Sequence, residues 1–185
     1  MKKVLIAGAL STAMMSSAAF AQSNTDSADL GVTATVNQEC SIEDPTPVVF
    51  AEVNINEGAG PNALLLKNGS QSDTQSIYVS CNYAAKLSAT STNGGLLNAA
   101  GAALAANDPA DFTNLIEYRV LLNSTDSSFP NLDFRTRLEP SDSVTAAGAF
   151  HNDATLKVVI DRDDTQKRPV AGVYTDTAVL TLGPV

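Results

Sequence analysis

Apolar and polar residues alternate in several short segments of the chain, with the period of two that is typical of β-strands with one buried face. Glycine, proline, asparagine and aspartate lie between these segments and favour turns there. The pattern predicts strands at residues 30–36, 48–55, 76–81, 86–91, 115–122, 132–135, 155–161 and 173–182. Short strands at this spacing, with turns between them, predict an all-β fold, an antiparallel sandwich.

The last predicted strand, residues 173–182, follows the turn at Ala171-Gly172 and runs almost to the last residue. We expect its outer edge to find no partner strand within the chain. An unpaired strand edge promotes aggregation unless a strand from another molecule covers it. The pattern therefore favours an immunoglobulin-like subunit that assembles with others over an enzyme.

One segment, residues 94–111, departs from the strand pattern. It is rich in alanine, with six of these residues around Gly101 in the stretch 98–106 and with Asn107-Asp108-Pro109 after them. A short helix is one interpretation of this composition. We favour a loop, because alanine side chains bury too little apolar surface to hold a helix against a core.

Residues 1–21 have the organisation of a secretory leader. Lys2 and Lys3 give a positive start, an apolar stretch follows, and Ala19-Phe20-Ala21 places small residues at the cleavage positions. We expect cleavage after Ala21, so that the mature chain begins at Gln22. No later segment approaches the roughly 20 apolar residues that a membrane span requires, so we expect an exported protein without a span.

The chain is strongly acidic, with 20 Asp and Glu residues against 11 Lys and Arg and a formal net charge of −9. The predicted leader contains two of the lysines and no acid, so the mature chain is more acidic still. Such a surface repels nucleic acid and anionic lipid. We therefore expect neither as a partner.

Cys40 and Cys81 are the two cysteines of the chain. In an oxidising compartment two cysteines most economically form one disulfide, and a metal site would need more ligands. In a monomer they can pair only with each other. Chain-entropy arithmetic for a loop of about 40 residues gives roughly 4 kcal/mol of stabilisation. Alternation also places Cys81 on the same strand face as Ile77 and Val79, which points it inward.

The segment Gly58-Ala59-Gly60-Pro61-Asn62-Ala63 fits the glycine pattern of a dinucleotide-binding loop. Such a loop should open a helix. Only Leu64-Leu65-Leu66-Lys67 follows before the next turn residues, so we interpret the segment as a hairpin loop. We expect no cofactor.

Two other patterns suggest chemistry only weakly. Asp161, Asp163 and Asp164 resemble the start of a calcium loop, but Gln166 and Gly172 occupy positions that such a loop gives to glycine and glutamate. We expect a solvated turn and no metal. His151 is the one histidine, no G-x-S-x-G motif accompanies it, and we predict that it lies in a surface loop with no catalytic role.

Several of these segments, taken in order, resemble the spore coat protein U domain family, which includes the pilins of archaic chaperone–usher pili. Residues 32–42, with Cys40-Ser41-Ile42, are similar to the family's first strand and first cysteine. Residues 76–83 resemble the region of its second cysteine. Residues 116–121 resemble its L-x-Y-x-L-Y strand, and residues 171–177 its closing A-G-x-Y-x-D motif. The resemblance covers most of residues 30–183.

The resemblance implies an immunoglobulin-like sandwich that lacks its last strand and is completed by a donated one. A periplasmic chaperone supplies this strand first, an outer-membrane usher handles assembly, and a neighbouring pilus subunit supplies the strand in the fibre. The implied role is structural, with no catalytic residue, on a surface pilus that supports adhesion or biofilm formation. In this family the donor is the mature N-terminal segment.

The leader and the resemblance together divide the chain into three parts: a signal peptide at 1–21, an N-terminal extension at 22–38 as the candidate donor strand, and a pilin-like sandwich domain at 39–185. The side chains expected to enter the next subunit's groove are Leu30, Val32, Ala34 and Val36.

Two alternatives remain at the level of the sequence. Residues 30–36 can instead stay in the chain's own sheet. The whole domain can instead be a self-complete secreted or periplasmic β-sandwich that binds a ligand as a monomer. An exported hydrolase that uses His151 is a third and weaker hypothesis.

Overall fold

The computed structural model describes residues 26–185, and the predicted leader and its cleavage site lie outside the described residues. The second of two compact units begins at Val36 and contains all of the strands and the helix. In chain order the elements are β1 (Cys40–Ile42), β2 (Gln71–Cys81), β3 (Ala85–Ser91), β4 (Leu96–Leu97), α1 (Ala102–Asn107), β5 (Phe112–Thr113), β6 (Leu115–Ile116), β7 (Arg119–Asn123), β8 (Leu132–Arg135), β9 (Ser141–Thr145), β10 (Phe150–Ile160), β11 (Arg168–Pro169) and β12 (Ala178–Pro184).

Two main sheets form the domain. The larger has the order β1-β2-β10-β7-β8 and the smaller the order β12-β3-β9, and neighbouring strands in both are antiparallel. Two short pairs lie beside them, β4 with β6 antiparallel and β5 with β11 parallel. The all-β, antiparallel prediction is confirmed, with β5–β11 as a short parallel exception.

The core lies between the inward faces of the two sheets, where the predicted alternation is confirmed. In β2, Ile77 and Val79 are 2% and 0% exposed, whereas Tyr78 between them is 54% exposed. In β3, Leu87 and Ala89 are fully buried. Burial of each large aliphatic side chain contributes about 1.5 to 3 kcal/mol, so this face fixes the register of both strands.

The longest pairing in the fold joins β2 to β10 over their full lengths, from Phe150 opposite Cys81 to Ile160 opposite Gln71. The strand predicted at 155–161 therefore begins five residues earlier. His151 lies in β10 and not in a loop, so that prediction is wrong. Its exposed ring stacks on Tyr78 of β2, with ring centroids 5.7 Å apart.

Two predicted strands are absent from the sheets. Residues 30–36 form no strand, and all of them are exposed. Alternation shows which side chains share a face, but a strand exists only where a neighbouring edge supplies its hydrogen bonds. Residues 48–55 form no strand either, apart from a single bridge between Ile55 and Leu66.

The alanine-rich segment contains a helix, so the loop prediction is wrong there. The side chain of Asn98 accepts a hydrogen bond from the Gly101 N–H at 2.9 Å, just before α1. Ala105 is the buried residue of the helix and Leu104 is 60% exposed. The small alanine side chains let the helix backbone lie close to its neighbours. The hydrogen bond from Gly101 to Asn98 fixes the start of the helix, where other helices rely on a large buried apolar side chain.

The strand predicted at 115–122 is interrupted at Glu117-Tyr118 and forms β6 and β7. The Thr136 hydroxyl bonds both backbone groups of Tyr118, accepting from its N–H at 2.9 Å and donating to its carbonyl at 3.1 Å. The closing strand is also shorter than predicted, because β12 begins at Ala178 and residues 171–177 form a turn region before it. The strand at 132–135 is confirmed as β8.

Candidate functional site

An apolar groove runs along one side of the domain. It consists of two adjoining cavities of about 1110 Å³ and about 560 Å³. Both are lined by Val48, Phe50, Leu96 and Asp176, which makes them one continuous depression. We call the two cavities together the apolar groove.

The floor of the apolar groove is part of the hydrophobic core. Ile116 lies under the larger cavity, and Tyr118, Val120 and Leu156 lie under the smaller one. These four side chains are between 1% and 4% exposed and belong to the core cluster. An apolar occupant of the groove would therefore extend the core of the domain.

One wall of the groove is the segment of residues 46–54. Two glutamine side chains of β2 attach this segment, where a strand would be attached by a ladder of backbone hydrogen bonds. Gln75 accepts a hydrogen bond from the Thr46 N–H at 2.8 Å and donates one to its carbonyl at 3.0 Å. Gln71 likewise accepts from the Asn54 N–H at 2.8 Å and donates to the Glu52 carbonyl at 3.0 Å. Both glutamines lie on one face of β2. These side-chain hydrogen bonds take the place of a backbone ladder, so residues 48–55 are held beside β2 without forming the predicted strand.

The opposite wall is the start of β12, whose residues Ala178, Val179 and Leu180 line the smaller cavity. Within the described residues β12 pairs with β3 alone and forms an edge of its sheet. The backbone groups on its other side are thus available to a further strand. Leu180 is half-buried beside the core, whereas Val179 is 48% exposed.

Asp176 fixes the turn that leads into β12. Its carboxylate accepts hydrogen bonds from the Tyr118 hydroxyl at 2.7 Å, from the Asn93 N–H at 3.0 Å and from the Ser91 hydroxyl. Burial and the hydrogen bond to Asp176 raise the pKa of Tyr118, so its hydroxyl remains protonated and donates. The aspartate of the A-G-x-Y-x-D motif therefore holds the groove wall in position and has no free oxygen aimed at a substrate.

The glycine and tyrosine of the same motif also have structural roles. Gly172 has φ of +146°, and its backbone lies against the side chain of Asn98, which donates a hydrogen bond to the Ala171 carbonyl at 3.2 Å. The Tyr174 hydroxyl donates to the Val170 carbonyl at 2.7 Å. The motif thus holds residues 170–176 in a fixed conformation that lines the larger cavity.

We expect Gly172→Ala to lower the free energy of unfolding by about 1 to 3 kcal/mol, because alanine is strained at positive φ and its Cβ would overlap with the amide of Asn98. Thermal or urea unfolding of the purified chain measures this change. Gly148→Ala is the matched control, since no atom lies within 4 Å of a Cβ placed there. Equal stability of the two variants would contradict this role for Gly172.

The four candidate donor residues lie in the N-terminal part of the described chain, outside every strand. Leu30, Val32 and Val36 are 86%, 82% and 83% exposed, and Ala34 is exposed as well. Their spacing of two residues would align their side chains on one face if the segment became extended.

The chain is anchored immediately after these residues. Asn82 donates a hydrogen bond to the Asn37 carbonyl at 2.7 Å and accepts one from the Glu39 N–H at 2.9 Å. The predicted disulfide follows, joining Cys40 of β1 to Cys81 of β2 at directly opposed positions of the sheet. The disulfide prediction is confirmed.

The remaining sequence motifs adopt turns. Residues 61–64 form turns between Ile55 and Leu66, which form an antiparallel bridge, so the segment has the form of a hairpin loop. Arg168 donates a hydrogen bond to the Ala63 carbonyl of this loop at 2.8 Å. The Asp161 carboxylate accepts from the Asp163 N–H at 2.9 Å.

Asp164 of the same turn is 6% exposed and pairs with Arg137 at 3.3 Å, so it is less solvated than predicted. Within residues 26–185 no three His, Cys, Asp or Glu side chains are grouped so as to hold a metal ion. Over the same range no helix is long and apolar enough to cross a membrane.

Sequence reasoning missed the groove and the residues that shape it. Gln71 and Gln75 are four positions apart in a strand and therefore on one face, which is the available signal for a polar attachment of a neighbouring segment. Asn98 and Asp176 gave no comparable signal, because their partners are distant in the chain.

The model of the Spore Coat Protein U domain matches residues 26–181, most of the chain. The chain belongs to the Spore Coat Protein U domain family. The matched region includes the disulfide, the apolar groove and the A-G-x-Y-x-D turn. Members of the Spore Coat Protein U domain family are chaperone–usher pilus subunits, exported and displayed at the cell surface, so this chain is a structural surface protein by family and not a member of an enzyme family. No curated protein and no solved structure matches the chain.

Proposed function

We propose that this chain is a chaperone–usher pilus subunit whose apolar groove accepts a strand donated by another protein. The observation that carries the proposal is the combination of a groove floor made of core side chains with the unpaired edge of β12 beside it. An extended segment with alternating apolar residues would pair with that edge and insert its side chains into the groove. Main-chain hydrogen bonds would supply affinity, and the shape of the groove would supply specificity.

The donor in turn is the N-terminal extension of the mature chain, residues 22–38. Its apolar face, Leu30, Val32, Ala34 and Val36, is exposed and is therefore free to enter a neighbour's groove. The anchor at Asn37 and Glu39 supports this role, because it gives the segment a fixed point of departure from the sandwich domain, residues 39–185.

The route to the surface follows from the same features. The leader, residues 1–21, directs export, and a periplasmic chaperone covers the groove until an outer-membrane usher exchanges it for a subunit. Without such a cover the unpaired edge and the apolar floor would aggregate. In the assembled pilus the chain has a structural role, without enzymatic activity, that supports adhesion or biofilm formation.

We expect production of the chain in the periplasm to depend on a dedicated chaperone. With the chaperone, the soluble yield should rise several-fold and the two proteins should purify as a one-to-one complex; without it, the chain should aggregate or be degraded. Fractionation and size-exclusion chromatography measure both outcomes. A well-folded monomer that needs no chaperone would contradict the proposal and favour the alternative, a self-complete β-sandwich that binds a small ligand in the groove.

A further inference from the structure

The charged residues that line the apolar groove are all acidic. They are Glu43, Asp44, Glu52, Asp108 and Asp176, and no lysine, arginine or histidine of the described chain lines either cavity. All but Asp176 are exposed at the groove's margin. None of the five takes part in an ion pair within residues 26–185, so their charge is not neutralised locally.

These acids are distributed along the whole groove. Glu43 and Asp44 border the smaller cavity, Glu52 and Asp108 the larger one, and Asp176 the part that the two share. A strand in the groove therefore meets negative potential in whichever direction it runs.

The chain's own candidate donor has the same sign of charge. Residues 22–38 contain Asp26 and Asp29 and no lysine or arginine. Insertion of this segment into the groove of a second copy would bring like charges together, which slows encounter and weakens the complex. Two copies of the chain also repel each other overall, because the net charge of each is −9 or more negative.

We propose that the apolar groove selects a donor strand from a different subunit, one with apolar residues at alternate positions and lysine or arginine beside them, over the N-terminal segment of a second copy of this chain. This inference rests on the proposed function, since it assumes that the groove accepts a strand. It makes the chain a component of mixed assemblies, in which neighbouring positions along the fibre differ in charge. Because like charges disfavour a second copy of this chain as the next subunit, the repulsion also helps to set the order of subunits along the fibre.

The test compares self-association of the mature chain with that of the variant Asp26→Lys/Asp29→Lys. Reversal of both charges should increase the association constant of the chain with itself about tenfold at low salt. This is the size of effect that a few charge pairs at a protein surface produce. Analytical ultracentrifugation measures the equilibrium, and oligomers that survive on an unboiled gel show that strands were exchanged. The matched control Glu139→Lys/Asp142→Lys changes the net charge equally, with the same spacing, at exposed positions that do not line the groove. This control should leave self-association near that of the unmodified chain.

Two further measurements locate the effect in the groove. Salt near 1 M, at which the screening length is about 3 Å, should remove most of the difference in self-association between the unmodified chain and its lysine variant. Glu52→Gln together with Asp108→Asn should reduce the gain in self-association that the two lysines give, because two of the acidic side chains that attract the lysines are then neutral.

The outcomes separate this inference from the proposed function. If the unmodified chain and the lysine variant associate equally, or if the control variant gains as much, the groove does not select by charge, although it accepts a strand. If neither associates at any salt concentration, the groove does not accept this segment even with its charge reversed, which overturns the inference. The dependence of the chain on a periplasmic chaperone then tests separately whether the groove accepts a strand from another protein.

Discussion

Val32→Asp is expected to stop this subunit from acting as a strand donor while leaving its own domain folded. A carboxylate without a partner in an apolar groove costs several kcal/mol, which exceeds the roughly 1.5 to 3 kcal/mol that burial of a valine contributes. The same argument holds for Val36→Asp. Both side chains are more than 80% exposed in the subunit, so the free energy of unfolding of the subunit should not change. The measurement is the ladder of heat-sensitive oligomers on an unboiled gel, from cells that also contain the chaperone, the usher and the neighbouring pilus subunits.

Thr33→Asp is the matched control for this prediction. It adds the same charge one position away, on the opposite face of an extended strand. The oligomer ladder should persist for Thr33→Asp, weakened by its added negative charge beside the acidic groove, and should disappear for Val32→Asp. If the two variants behave alike, the alternating apolar face does not determine assembly. If Val32→Asp unfolds the subunit itself, the segment belongs to the chain's own sheet and the assignment of the donor is wrong.

The strands with one buried face were predictable, and the reason is physical. In β3 and in the second half of β2 every second side chain enters the core, so hydrophobicity along the sequence records the geometry of the sheet directly there. The segment at 30–36 has the same pattern without forming a strand. Periodicity reports a face that is suited to burial, but it does not say which molecule supplies the neighbouring edge.

The errors came from polar contacts that hydrophobicity does not record. Gln71 and Gln75 hold residues 46–54 through their side chains, which turned a predicted strand into the wall of a groove. Asn98 anchors the start of α1, so a helix forms where apolar side chains alone would not support one. Each of these contacts joins residues whose pairing only the folded chain determines.

The donor and acceptor halves of the site differed in how far they could be predicted. The candidate donor residues lie close together at alternate positions of one segment, so the sequence and its family resemblance suffice to propose them, and their role as donors stays a prediction. The apolar groove, in contrast, is a space between residues as far apart in the chain as Ile42 and Leu180, and no local sequence pattern records it. The sequence showed the A-G-x-Y-x-D motif as a family resemblance, but its place in the groove wall and the hydrogen bonds of Asp176 became evident only in the structure.

Loss of the Cys40–Cys81 disulfide should strongly destabilise the domain. The bond closes a loop of 41 residues in sequence and fixes β1 to the edge of β2. Removal of such a bond from a small exported domain costs about 2 to 5 kcal/mol, which is comparable with the whole stability of many domains. Cys81→Ser should therefore lower the periplasmic yield sharply.

The groove gives this change a functional consequence besides the loss of yield. Ile42 of β1 lines the smaller cavity, and the anchor of residues 37–39 lies next to Cys40, so a loosened β1 disturbs both the acceptor wall and the origin of the donor. Unfolding of the unmodified chain with and without reductant measures the contribution of the bond to stability. Cys40→Ser/Cys81→Ser is the control, because it has no free thiol that could form mixed dimers, and it should be as unstable as either single variant.

The intact mass of the unmodified chain under non-reducing conditions should correspond to residues 22–185 without the two thiol hydrogens. Two alkylatable thiols in the native protein, or a double variant as stable as the unmodified chain, would contradict the role of the disulfide and the expected export.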